Sequence, residues 1–205
     1  MVPHRTPFFL PALFPSSLTW RFPDNQRNLY LTFDDGPVPG PTEFVLDVLS
    51  KYNCSATFFC IGDNIRKHPG IYKRILAEGH AVGNHTFNHL NGWKTSLEDY
   101  IANVRECDFL MGEGHNLFRP PYGRITYGQI RSLNKFRIVM WDVLSLDYEK
   151  TLSPEKCLRN TVRVTRPGSI VVFHDSLKAQ RNMEYALPRF IEHFLDKGFS
   201  FKKII

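Results

Sequence analysis

Apolar residues along the chain gather into short runs separated by longer amphipathic stretches. The runs cover residues 29–33, 56–61, 81–83, 117–118, 138–143, 169–173 and 199–204, and each is of strand length. Between them the pattern changes to a helical one. Residues 42–52 place Phe44, Val45, Val48 and Leu49 on one face. Residues 69–78 open with proline and stop at Gly79, as a helix should. Ser96-Leu97-Glu98-Asp99 predicts a helix N-terminus, with the helix running to about Met111. Ser153-Pro154-Glu155 opens another helix, and residues 184–197 form a last one that ends at Gly198.

This alternation predicts a parallel α/β architecture. About seven such units in 205 residues fit a small, distorted or incomplete (β/α) barrel, with an open doubly wound sheet as the alternative. In both folds the functional residues belong where the strands end. Residues 29–205 read as one catalytic domain. The first 28 residues read as an apolar extension packed against it, broken up by Pro7, Pro11 and Pro15.

Composition narrows the classes. With 42% hydrophobic and 22% charged residues the chain is an ordinary folded one. The net charge of +6 comes from scattered Lys and Arg with no run longer than a pair, which argues against a nucleic-acid partner. Cys54, Cys60, Cys107 and Cys157 show no paired short spacing and read as buried free thiols, so nothing demands an oxidising compartment. No uninterrupted apolar stretch has the length of a signal or a membrane span. The expectation is a cytoplasmic protein without a membrane partner.

The candidate chemistry sits after the runs. TFDDGP at 32–37 puts Asp34 and Asp35 side by side at the end of the first one. An Asp-Gly pair alone is an ordinary turn, but two adjacent acids repel unless a cation or a proton separates them. HTFNH follows at 85–89. Its two histidines are four apart, and this spacing predicts one helix face able to bind one metal. A carboxylate with two imidazoles suits Zn²⁺, with Co²⁺, Fe²⁺ or Mn²⁺ also compatible. RPPYG at 119–123 fixes the direction of Arg119, whose charge is permanent. Asp147 follows the 138–143 run, and His174 follows the run rich in Ile and Val. His4, His68, His80, His115 and His193 lack such company and read as structural or solvated.

In order and spacing, TFDDGP, HTFNH, RPPYG, the SLDY segment at 145–148 and the FHD ending at 173–175 resemble the five motifs of NodB-type polysaccharide deacetylases, carbohydrate esterase family 4. ATFFCIG at 56–62 is similar to that family's second strand. The resemblance spans about residues 29–201 and implies a distorted (β/α) barrel. It also implies a metal-dependent hydrolase that removes acetyl groups from N-acetylated amino sugars in an oligo- or polysaccharide such as chitooligosaccharide or peptidoglycan. The alternative on the same fold is an O-acetyl ester or a non-sugar amide as substrate. By this resemblance Asp35, His85 and His89 would bind the metal. Asp34 would be the general base, oriented by Arg119, and His174 the general acid. Asp147 would pair with His174 and Arg119. The Tyr122 backbone N–H would hold the oxyanion, and Tyr122 and Tyr148 would contact the sugar. Two departures bear on substrate choice more than on mechanism. In the fourth motif Leu144 replaces an Asp and Tyr148 a Trp, and Phe173 stands where Leu is usual.

Overall fold

The computed structural model describes residues 3–23 and 26–205. Residues 1, 2, 24 and 25 of the expected N-terminal extension lie outside the described residues. The strands are β1 (Leu18–Thr19), β2 (Asn28–Asp34), β3 (Thr57–Cys60), β4 (Ala81–Asn84), β5 (Leu117–Phe118), β6 (Arg137–Val139), β7 (Val143–Leu144), β8 (Ile170–His174) and β9 (Ser200–Phe201). The helices are α1 (Pro41–Lys51), α2 (Gly62–Lys67), α3 (Pro69–Ala77), α4 (Leu97–Met111), α5 (Tyr127–Ser132), α6 (Pro154–Val164) and α7 (Gln180–Leu195).

The strands are all parallel and run in the order β1-β6-β5-β4-β3-β2-β8-β7, with β9 against β2. Among the described residues the edge strands β1 and β7 do not pair with each other, so the sheet is a curled, incomplete barrel and not a doubly wound sheet. The expected count of about seven strands becomes nine among the described residues, for two reasons. The apolar run 138–143 is not one strand. The chain leaves β6 through Met140-Trp141-Asp142 and returns as β7 beside β8, and a continuous apolar run does not record such a step. The other addition comes from the N-terminal segment. β1 lies against β6, while Arg5 bridges Val143 and Arg21 bridges Ser169.

The central strands are buried along their length, as a sheet covered by helices requires. Phe33 stacks on Phe58 with ring centroids 5.1 Å apart, and Phe173 packs on Phe190 at 5.7 Å. The helices start where their caps dictate. Ser96 accepts from the Asp99 N–H, and Ser153 accepts from the Lys156 N–H. α2 and α5 have only six residues each, too short to leave a readable period. No helix of the described residues is long and apolar enough to cross a membrane. All four cysteines are buried free thiols.

Register is what positions the site. β2 and β8 pair so that Asp34 stands opposite His174, and β3 and β4 pair so that Cys60 stands opposite Asn84. The strands therefore finish level, and the residues that follow them share one rim.

Candidate active site

Both aspartates of TFDDGP line one cavity of about 490 Å³ at this rim, together with His85, His89, Tyr122, Tyr148 and His174. Along a regular strand consecutive side chains point to opposite faces. Asp34 and Asp35 avoid that because Asp35 takes a left-handed backbone, φ 84°. Thr86, His89, Tyr122 and Leu146 also have positive φ, and all four lie in rim loops. Such conformations cost about 1–3 kcal/mol each for residues other than glycine and gather where geometry serves function.

His85 and His89 do not lie on a helix, contrary to the expectation from their spacing. Residues 85–91 form a loop, and the left-handed turns at Thr86 and His89 bring the two rings to 5.1 Å. The ligand atoms of Asp35, His85 and His89 lie within 4.8 Å of one another. Nε2 of His89 is 3.3 Å and Nε2 of His85 3.9 Å from Asp35 Oδ1. The other nitrogen of each ring is held from behind. His85 Nδ1 donates to the Arg119 carbonyl at 2.7 Å, and His89 Nδ1 meets the Tyr122 hydroxyl at 3.1 Å. This leaves Nε2 of both rings facing the carboxylate, the arrangement that metal-binding histidines adopt. Burial drives His85 down to about 4, against the pull of Asp34, so its imidazole is neutral. Burial alone would raise the Asp35 carboxyl. The hydrogen bond from His89 and the charges of His174, His85 and His89 outweigh it and hold the group well below the usual carboxylate range. Two imidazoles with Nε2 turned inward and a carboxylate fit a divalent cation with open positions for water and substrate.

Asp34 is buried and accepts from Nη1 of Arg119 at 2.7 Å. Arg119 is itself wholly buried. The carbonyls of Val139 and Met140 and the hydroxyl of Thr32 accept its other hydrogen bonds, so it can only serve as a fixed cation behind Asp34. Asp147 makes no ion pair with Arg119, contrary to expectation. Both of its oxygens go to His174, Oδ1 to the ring Nδ1 and Oδ2 to the backbone N–H, each at 2.7 Å. Asp34, Thr32, Val139 and Met140 take four of the five N–H donors of Arg119, and the Asp147 carboxylate is turned to the end of β8 instead. Burial alone would lower the His174 imidazole. The charge of Asp147 and its hydrogen bond outweigh burial and, with Asp35 and Asp34 adding to the pull, raise it to about 9. His174 therefore carries a proton at neutral pH.

The tight turn at 120–124 is closed by Gly123 N–H to Pro120 O and Arg124 N–H to Pro121 O, and the Tyr122 N–H lies outside that pattern. The Tyr122 ring is exposed, edge-on to His89 at 4.5 Å. Tyr148 stands edge-on to His174 at 4.9 Å. Sequence reasoning did not single out Arg124, Val172 or Lys178, which also line the cavity. No pattern marks them, because each comes from a different loop or strand. Leu144, noted only as a departure, is part of the cavity wall. Of the other aromatics near the motifs that could offer a sugar platform, Phe87, Trp93 and Trp141, Trp141 lines the cavity, while Phe87 is core and Trp93 is exposed away from it.

The sequence model of the family described as polysaccharide deacetylase matches residues 22–141. The chain is 36% identical over 160 residues to a peptidoglycan-N-acetylglucosamine deacetylase of Bacillus cereus, covering 75% of this chain and 58% of that protein's length. It is 36% identical over 162 residues to a chitooligosaccharide deacetylase of Azorhizobium caulinodans, covering 76% of this chain and 77% of that one. A crystal structure of a peptidoglycan N-acetylglucosamine deacetylase superposes with a TM-score of 0.89 at 32% identity, over 97% of this chain and 95% of that one.

Proposed function

The chain belongs to the polysaccharide deacetylase family, hydrolases that act on the amide bonds of N-acetylated sugars, and from this premise we propose that it releases acetate from N-acetylated amino sugars within an oligo- or polysaccharide. A fold does not by itself carry an activity. The observation that supports this one is a single cavity holding the Asp35–His85–His89 triangle between a carboxylate and a protonated imidazole.

Asp35, His85 and His89 would hold one divalent ion, Zn²⁺ in the first instance. When bound, that ion supplies positive charge where the acetyl oxygen turns negative and makes a neighbouring water more acidic. Asp34 takes a proton from the attacking water, fixed in place by Arg119. The Tyr122 N–H donates to the developing oxyanion. As the carbon–nitrogen bond breaks, His174 gives its proton to the departing amine, and Asp147 keeps it protonated until then. Tyr122 and Tyr148 flank the cavity as surfaces for sugar rings. We assign this chemistry to a single domain, residues 29–205, with the N-terminal segment packed on it.

The test is acetate release from N-acetylchitooligosaccharides and from peptidoglycan glycan strands, first with metal stripped and then with Zn²⁺ or Co²⁺ restored. Release that depends on metal supports the reading. No release from either substrate with the ion measurably bound overturns it, and O-acetyl esters become the next substrates to assay.

A further inference from the structure

Asp175 is not part of the chemistry described above, yet it is 1% exposed and sits one residue beyond His174. Its side chain is turned away from the cavity, beneath the loop that carries Asp34 and Asp35. Oδ1 accepts from the Gly36 N–H at 3.0 Å, and Oδ2 accepts from the Thr42 hydroxyl at 2.6 Å. That hydroxyl in turn accepts from the Val38 N–H at 2.7 Å. The Asp175 N–H donates to the Asp34 carbonyl. The carboxyl lies so close to the turn that a Cβ on Gly36 would fall 1.9 Å from Oδ2. Burial pushes this carboxyl up to about 8, and its side-chain partners are a donor from the turn after β2 and one from the first turn of α1.

The Asp35 carbonyl has its own partner. Nδ2 of Asn64 in α2 donates to it at 2.7 Å. The Asp35 C=O and the Gly36 N–H belong to the same peptide plane, so that plane is gripped at both ends, by Asn64 on one side and Asp175 on the other. Its orientation fixes ψ of Asp35, and with φ at 84° it decides where the Asp35 carboxylate points. An unheld loop would be free to relax towards extended backbone, which would turn Asp35 away from the two imidazoles.

We propose that Asp175 and Asn64 act as positioning residues that clamp the Asp35–Gly36 peptide and aim the Asp35 carboxylate at His85 and His89. This inference rests on the metal-dependent hydrolase reading. In this role Asp175 needs only an acceptor for one N–H, so Asn suffices and Ala does not. The experiment measures Zn²⁺ affinity by competition with a chromophoric chelator, together with kcat and KM for acetate release, in D175A, D175N and N64A, alongside thermal melting of each. Loss of an outer partner of a metal ligand typically weakens metal affinity about 10–100-fold. D175A is expected to show that loss and a fall in kcat at nearly constant KM, and D175N to recover Zn²⁺ affinity to within a few-fold of wild type. A folded D175A with wild-type Zn²⁺ affinity overturns the clamp, as does a D175N as weak as D175A. If D175A does not fold, N64A decides from the other side, since wild-type affinity there also overturns it. Absence of acetate release by the wild-type protein would overturn the parent reading, while the Zn²⁺ titrations would still judge the clamp.

Discussion

Two buried aspartates in this chain each face an arginine, and they do different work. Asp34 ends β2 and meets Arg119, which is sealed inside the sheet by two carbonyls and a hydroxyl. Asp142 stands between β6 and β7 and meets Arg166, with hydrogen bonds of 3.1 and 3.2 Å, while Ser169 adds a third at 2.7 Å and Arg5 approaches to 3.9 Å. Asp34 opens onto the cavity beside Asp35, His85 and His89. Asp142 opens onto the seam where the N-terminal segment crosses the sheet, and the Thr6 N–H donates to its carbonyl. In sequence Asp34 directly follows an apolar run and Asp142 sits near the end of one. The difference lies in what surrounds the free side of the carboxylate: a water-accessible rim with two imidazoles, or a packed strap with no other ionisable partner than arginine. An ion pair alone therefore does not mark an active site.

The strongest way to break this comparison is to neutralise each acid. Asp34→Asn should abolish turnover, a loss of at least about 10²–10⁴-fold, with Zn²⁺ binding intact in a chelator competition. His85→Ala should lose both turnover and the ion. Near-normal rates in Asp34→Asn would show that the base lies elsewhere.

The acid side of the cavity offers a pH test. His174, raised to about 9, keeps its proton below that value and loses it above, so acetate release should decline on the alkaline side as pH passes through about 9. The same shift is a stability statement. The His174–Asp147 contribution is fully present below the ordinary histidine value of 6.5 and is lost as pH rises through the folded value of about 9. Asp147→Asn removes the charge responsible, and the alkaline limb should move down by about 1–3 pH units. An unmoved limb in the rate profile would mean that another group sets it.

Smaller effects sharpen the picture. Tyr122→Phe takes the hydroxyl from His89 Nδ1 and should weaken Zn²⁺ binding by up to about 10-fold while leaving the ring available to sugar. Asp142→Asn should leave kcat unchanged and lower stability by about 1–3 kcal/mol, the partial exposure of Arg166 keeping the loss modest. Denaturant melts and steady-state kinetics on one preparation check both halves. A fall in kcat without a fall in stability would place Asp142 in the chemistry after all.

Much of this was readable before folding. The runs at 29–33, 56–61 and 169–173 became the buried centre of the sheet, because a strand covered on both faces must be apolar throughout. α1, α3 and α4 begin and end close to where their sequence pattern places them, and α6 begins at its Ser153-Pro154 signal. α7 starts four residues earlier than its pattern indicated and carries Pro188 inside, since packing against α6 and β8 holds a helix that local propensity would interrupt. The histidine spacing misled. Four residues apart suits a helix face, but the chain reaches the same juxtaposition with two left-handed turns. Nothing local in the sequence announces positive φ at Thr86 or His89.

The sequence by itself determined which side chains are available to the site and the order in which strands deliver them, because strand burial and helix capping depend on near neighbours. Only the tertiary structure decided that Asp34 and His174 stand in register, that Asp147 serves His174 alone, and that Asp175 reaches back to grip Gly36. These are contacts between residues 139, 140 and 27 positions apart. They form only when a parallel sheet brings strand ends level, and no local pattern encodes that alignment.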